Sequence, residues 1–295
     1  MPIAMKIPIG EGVERGVNWL TIHWEGFFDG LKNGLNAMIG GINSFLIWIP
    51  FIVFVLLILF LAWWVSGKGL AIFAGIGLVL VENLGLWSQT METLSLVLTA
   101  TLISLIIGLP LGILMAKSNI ADKILRPVLD FMQTMPAFVY LIPAVYFFDL
   151  GSVPGVFATI IFAMPPVVRL TNLGVRGVPR DVVEAAKSFG ATPSQLLFKV
   201  QIPLAIPTVM AGLNQTIMLS LSMVVISAMI GAEGLGKIVL KGITQMKIGQ
   251  GFEGGLAVVI VAMILDRITQ CFGNMNKKSG SVFVKEYRKK KARRS

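Results

Sequence analysis

Few side chains in this sequence are of a type that does covalent chemistry, and their spacing excludes most reactions. With one histidine, His23, and one cysteine, Cys271, the chain has no Cys/His cluster for zinc and no intramolecular disulfide, and their separation in sequence argues against most enzymatic constellations. Gly231-Ala-Glu-Gly-Leu-Gly236-Lys237 fits the first part of a phosphate-binding loop. Ile238 follows, however, where a Ser or Thr would hold magnesium, and the run succeeds an apolar helix rather than a strand. It reads as a glycine-rich turn. Asp266 and Arg267 are adjacent near the end of another apolar run and read as a structural pair rather than a proton relay. No catalytic residue and no metal ligand emerges.

The remaining chemistry is recognition. The apolar run from about Pro127 to Phe148 carries Asp130, Gln133, Thr134, Met135, Phe138, Tyr140 and Tyr146, with Pro136 and Pro143 freeing backbone carbonyls. Aromatic faces beside such a polar path attract a quaternary ammonium through cation–π contacts. Asn214, Ser220 and Ser222, on a later apolar run, are expected either to face the same interior or to hydrogen-bond across helices. The candidate translocation path is therefore Gln133, Thr134, Met135, Phe138, Tyr140, Asn214, Ser220 and Ser222; aromatic packing between helices is the competing reading.

A different signal lies in Asp181 to Pro203, a polar insert between apolar runs. Asp181 with Glu184 has capping-box spacing, and Gly190 suits the left-handed turn that closes a helix. Thr192, Pro193 and Gln195 predict a second start immediately after it, and Pro203 and Pro207 are expected to punctuate the return to the membrane. Ala185 and Ala186 let a partner approach closely, and Val182, Val183 and Phe189 offer it apolar contact. Caps and small residues predict a partner-facing helix pair; an ordinary helical loop has the same local pattern.

The elements that position these residues are membrane helices. The chain has 295 residues, 14% of them charged, and a mean hydropathy of +0.82, which places it among polytopic membrane proteins. Much of the +10 net charge sits in the tail around Arg288 to Arg294, so composition does not point to nucleic acid. At about 20 apolar residues per crossing, about seven spans are expected: Phe45–Val65, Leu70 to about Trp87, Thr93–Ala116, Pro127–Phe148, about Pro154 to Leu173, Pro207–Ile230 and Gly254 to about Thr269. Gly108 and Gly112 form a small-xxx-small face in the third. The organisation expected is an amphipathic region at 1–43, two spans within 44–90, a core at 91–273 holding the insert at 176–206, and a basic tail at 274–295. The N-terminus lacks the pattern of a cleavable signal peptide. Basic residues place the tail, the insert and the Lys117/Lys123/Arg126 loop in the cytoplasm and the N-terminus outside. The tail reads as a topology determinant; a salt-dependent contact with the anionic inner leaflet that senses ionic strength is the alternative.

Glu184-Ala185-Ala186, Gly190, Ile202 and Pro203 together resemble the EAA signature of binding-protein-dependent ABC importer permeases. Met132 to Pro143, Phe162 to Pro166, Leu219 to Val225, Leu265 to Gln270 and Gly26 to Gly30 are similar to the glycine betaine/proline branch of that family. The resemblance implies an all-α type I ABC importer fold and a permease subunit rather than an enzyme, working as two copies. Two cytoplasmic ATPase subunits would dock on Asp181, Glu184, Ala185, Ala186, Gly190 and Pro203, and an external binding protein would deliver cargo. ATP and magnesium would sit on the ATPase, with no cofactor on this chain. The cargo implied is glycine betaine or a related quaternary ammonium or proline-type osmoprotectant. Another small amino-acid-like solute is the alternative. An ion-coupled secondary transporter would need an inverted repeat and mid-membrane carboxylates, for which Asp130 is the main candidate.

Overall fold

In the computed structural model the backbone is described for residues 9–292 and the side chains for 10–270. Among these residues every regular element is helical. In chain order they are α1 (Ile9–His23), α2 (Glu25–Trp48), α3 (Phe51–Ser66), α4 (Lys68–Asn83), α5 (Trp87–Lys117), α6 (Asn119–Thr134), α7 (Leu141–Phe148), α8 (Ser152–Arg176), α9 (Arg180–Ser188), α10 (Pro193–Gln195), α11 (Ile202–Ser227), α12 (Leu235–Thr244) and α13 (Ile248–Ala292). The basic tail expected to meet lipid lies outside the described side chains.

Four stretches among the described residues are straight, long and apolar enough to cross a bilayer: α5, α8, Pro193–Ile230 and Ile248–Gln270. They form the core because their contact faces are small. A methyl on Gly112 would lie 2.6 Å from the Val168 carbonyl oxygen, and one on Gly108 would lie 2.5 Å from a Val167 methyl, so the expected Gly108/Gly112 face is where α5 meets α8. Gly174 and Gly212 allow a similar approach of α8 to α11.

Two expected spans are broken. Pro50 stops α2 at Trp48 and caps α3, because a proline disfavours helical geometry in the residue before it, and the two helices meet at 96°. Phe45–Trp48 therefore belong to a crosswise helix, and the first crossing is Phe51–Ser66 instead of Phe45–Val65. The amphipathic N-terminal region forms two helices, α1 and α2, and α2 braces the bundle: Leu35 is 4% exposed and Phe28 stacks on Phe147 at 4.3 Å. The expected fourth span breaks at Met135–Pro136, where α6 and the Ala137–Phe148 segment meet at 106°. The helix of the expected second span ends at Asn83, with Gly85 (φ 69°) turning the chain before Trp87 begins α5.

Contacts sort the helix ends into two groups. Leu235 N–H donates to Thr93 Oγ1 (2.8 Å), Gly151 N–H to the Ile230 carbonyl (2.8 Å), and Lys32 pairs with Asp149 (2.6 Å). The starts of α5, α8 and α12 and the ends of α7 and α11 thus share one end, with α2 lying across it. Phe51 and Phe54 pack edge-on against Trp87, which brings the start of α3 there too. Lys117, Asp122, Arg176 and the insert mark the other end. By length and composition the described residues hold at most six crossings, the four straight stretches and the bent α2–α3 and α6–α7 pairs, and α4, the expected second span, is not among them. With 16 residues each, α3 and α4 reach about 24 Å, short of a hydrocarbon core of about 30 Å.

Candidate coupling insert and translocation path

The insert follows the end of α8 at Gly177. Val178 precedes Pro179, which is extended (φ −54°, ψ 135°) and whose carbonyl accepts from Val182 and Val183. The helix therefore starts at Arg180, with Pro179 in the capping position and no side-chain cap bond. This corrects the expected Asp181–Glu184 box: Asp181 sits inside the first turn, where its charge meets the positive end of the helix but its carboxylate does not cap it. The closing turn is as expected. Gly190 has φ 79°, Gly190 N–H donates to the Lys187 carbonyl (2.9 Å) and Ala191 N–H to the Ala186 carbonyl (3.1 Å), the paired bonds of a Schellman ending.

The second box forms in full. Gln195 N–H donates to Thr192 Oγ1 (3.3 Å), Thr192 N–H donates to Gln195 Oε1 (3.0 Å), and Pro193 occupies the first turn. Beyond it, Leu196–Gln201 is a π-helical turn, with Ile202 N–H donating five residues back to Leu197. That widening precedes Pro203, whose ring and missing N–H would strain a regular α-helical ladder. Pro203 and Pro207 are therefore internal to one continuous 38-residue stretch from Pro193 to Ile230, which joins the insert to the span. Leu197, 3% exposed, anchors this stretch against Val175 and Ala205.

Exposure divides the insert into an anchored half and a free half. Among α9 residues none is buried. Glu184 and Ala185 are exposed, Phe189 is 92% exposed, and Phe198 is exposed beyond the turn. Phe189 and Phe198 are thus exposed apolar side chains on an otherwise polar element.

Just above the insert is a polar knot that sequence reasoning missed. Asp122, 9% exposed in the first turn of α6, accepts from Asn172 Nδ2 (2.9 Å) and Arg126 (2.8 Å). Arg176 donates to the Met115 carbonyl at 2.6 Å, near the C-terminal end of α5, and lies 3.8 Å from Asp122. Arg169 pairs with Asp130 at 2.5 Å. The ends of α5, α6 and α8 are thereby joined through charges placed at the helix termini that favour them. The i,i+4 spacing of Asp122 and Arg126, and the placing of Arg169, Asn172 and Arg176 along one face of α8, carried that signal.

The candidate path residues fall into two sets. Gln133, Thr134, Met135, Phe138 and Tyr140 gather at the α6–α7 break. Tyr140 is buried and its hydroxyl donates to the Met132 carbonyl (2.8 Å), bracing the bend, while Gln133, Thr134 and Phe138 are exposed. The three α11 residues point to different neighbours. Asn214 donates to Asp266 (2.7 Å) and accepts from Thr269 (2.7 Å), Ser220 is buried beside a void of about 10 Å3 between α5, α8 and α11, and Ser222 is exposed. The phosphate-loop look-alike is filled by protein: a methyl on Gly236 would lie 2.3 Å from the Val224 carbonyl oxygen. Asp266 and Arg267 do not pair, since adjacent residues face apart on a helix, and Asp266 bonds to Asn214 and Gln270.

The described residues thus form a bundle of apolar helices with a capped, polar helical insert at one end, the architecture of a multi-pass membrane protein. Residues 108–274, more than half of the chain, match the family model described as binding-protein-dependent transport system inner membrane component. The chain belongs to that family and is a multi-pass membrane protein. It is 52% identical over 265 residues to the glycine betaine transport system permease protein OpuAB of Bacillus subtilis, covering 90% of this chain and 94% of that one. It is 54% identical over 289 residues to the glycine betaine/carnitine transport permease protein GbuB of Listeria monocytogenes, covering 95% and 100%. An inward-facing structure of the MetNI methionine ABC transporter aligns over 66% of this chain and 95% of that chain with a TM-score of 0.56 and 22% identity, which shows the shared type I importer permease fold.

Proposed function

We propose that this chain is the permease of an ATP-driven importer of glycine betaine or a related quaternary ammonium or proline-type osmoprotectant. Two copies form the pathway, two ABC ATPase subunits carrying ATP and magnesium dock on the insert, and an external binding protein delivers the cargo. The observation that carries the driving half of this reading is α9: a helix without a buried residue, closed by a rigid turn, and joined through α10 to a continuous stretch that enters the membrane. The cargo half rests on relatives about half identical over nearly the whole chain, whose names specify glycine betaine.

In this reading the insert end is cytoplasmic and the end crossed by α2 is external, which agrees with the basic Lys117/Lys123/Arg126 loop and puts the N-terminus outside. ATP-driven closure of the ATPase pair draws the two α9 helices together. The capped insert carries that displacement along α11, and the polar knot keeps α5, α6 and α8 in register with it. The mobile face of the path is assigned to Gln133, Thr134, Phe138 and Ser222, which are exposed in the single chain, whereas Tyr140, Asn214 and Ser220 support it. Uptake of radiolabelled glycine betaine into proteoliposomes holding the permease, its ATPase and its binding protein tests the proposal. Uptake that requires ATP is expected; uptake driven by a sodium or proton gradient alone would refute it.

A further inference from the structure

Arg267 makes no ion pair among the described residues, and its neighbour Asp266, which faces away from it along the helix, bonds to Asn214 and Gln270. Its side chain lines a cleft of about 240 Å3 between α13 and the turn joining α3 to α4, together with Ser66, Gly69, Leu70, Phe73 and Met263. The cleft has two chemistries. Arg267 and the Ser66 hydroxyl supply donors beside Gly67, the one residue between α3 and α4, and Leu70, Phe73 and Met263 form an apolar wall. It sits where α3 turns into α4 at one end of the bundle, and Trp63 and Trp64 are exposed in the last turns of α3. Aromatic side chains exposed near a helix end are typical of the interface between hydrocarbon and headgroups.

We propose that this cleft holds the headgroup of an anionic phospholipid, with the phosphate on Arg267 and Ser66 and the upper acyl chain along Leu70, Phe73 and Met263. Charge decides against a zwitterionic lipid, since among the described residues no carboxylate lines the cleft to receive a choline or ethanolamine group. The apolar wall decides against free phosphate, which would gain nothing from it. The larger cleft between α6 and α8 is a weaker candidate, because its arginines are already matched by Asp122 and Asp130. A lipid here would wedge the α3–α4 hairpin against α13, a contact outside the insert and the path.

The permease complex, purified in mild detergent, is titrated with phosphatidylglycerol or phosphatidylcholine, and retained lipid is counted by native mass spectrometry. Wild type is expected to hold phosphatidylglycerol in preference to phosphatidylcholine, Arg267→Lys to keep most of the binding, and Arg267→Gln to lose about fivefold in affinity, as expected for one cation at the membrane surface. Lys123→Gln, an exposed charge outside the cleft, should leave binding unchanged, and millimolar inorganic phosphate should not compete. Equal retention by wild type and Arg267→Gln, an equal loss in Lys123→Gln, or displacement by phosphate would each overturn the assignment.

Discussion

Replacing Gly190 isolates the rigidity of the insert from its contacts. The residue has φ 79°, and a methyl built on it would meet nothing within 4 Å. Gly190→Ala therefore introduces no clash, and its cost is that of holding an L-residue in left-handed geometry, about 1–2 kcal/mol. At about 1 kcal/mol the closed turn opens about fivefold more often. Asparagine tolerates this geometry better than alanine, and valine is worse because its branched side chain crowds the same backbone. The observable is hydrogen exchange at Ala191, whose N–H is bonded to Ala186 across the turn. Exchange is expected to rise in the order Gly, Asn, Ala, Val, by about fivefold for Ala, with cargo transported per ATP hydrolysed falling in the same order. Faster exchange in Gly190→Val with unchanged transport per ATP would refute the rigid-lever reasoning; unchanged exchange would refute its backbone basis.

Three further substitutions separate driving, assembly and path. Phe189→Ala removes a side chain that is 92% exposed, so stability should change by less than about 0.5 kcal/mol, while affinity for the ATPase in a pull-down titration should fall by about 1–2 kcal/mol, as for an interface anchor. Gly112→Ala sets a methyl 2.6 Å from the Val168 carbonyl oxygen; backbone cannot yield as a side-chain tip can, and a loss of about 1–3 kcal/mol should appear as a lower unfolding temperature in detergent. Asn214→Leu removes the bonds to Asp266 and Thr269. It should cost about 1–3 kcal/mol of stability and leave the apparent KM for cargo unchanged, whereas a raised KM in a protein of normal stability would return Asn214 to the path.

What the sequence made legible were features whose physics is local. The Thr192–Gln195 box, the Gly190 turn and the Gly108/Gly112 face each depend on residues within a turn or two of one another, and each has the expected geometry. The crossings made by α8 and α11 follow from apolar length alone. Misreadings came where a single proline, or a contact between helices, decided what the local pattern left open. Pro50 and Pro136 break helices that hydropathy joins, because hydropathy averages over a window and proline acts at one peptide. Pro203 is the opposite case: a π-helical turn precedes it and the helix runs on through it as one stretch. Asp181 lost its cap because Pro179 supplied the first carbonyl. Asp122, Asn172 and Arg176 became a knot only once three helix ends met, and Asp266 bonds to a residue on another helix, Asn214, and not to its neighbour Arg267.

The most direct test of the coupling account is the distance between the two α9 helices in an assembled importer. Spin labels placed at Lys187, exposed in the last turn of α9, with Cys271 replaced by serine, report that distance by pulsed electron resonance with the ATPase and binding protein present. Trapping the ATPase with ATP and vanadate is predicted to shorten it relative to the nucleotide-free state. An unchanged distance, in a complex that still transports glycine betaine, would contradict the claim that this insert is the moving link between ATP and the membrane path.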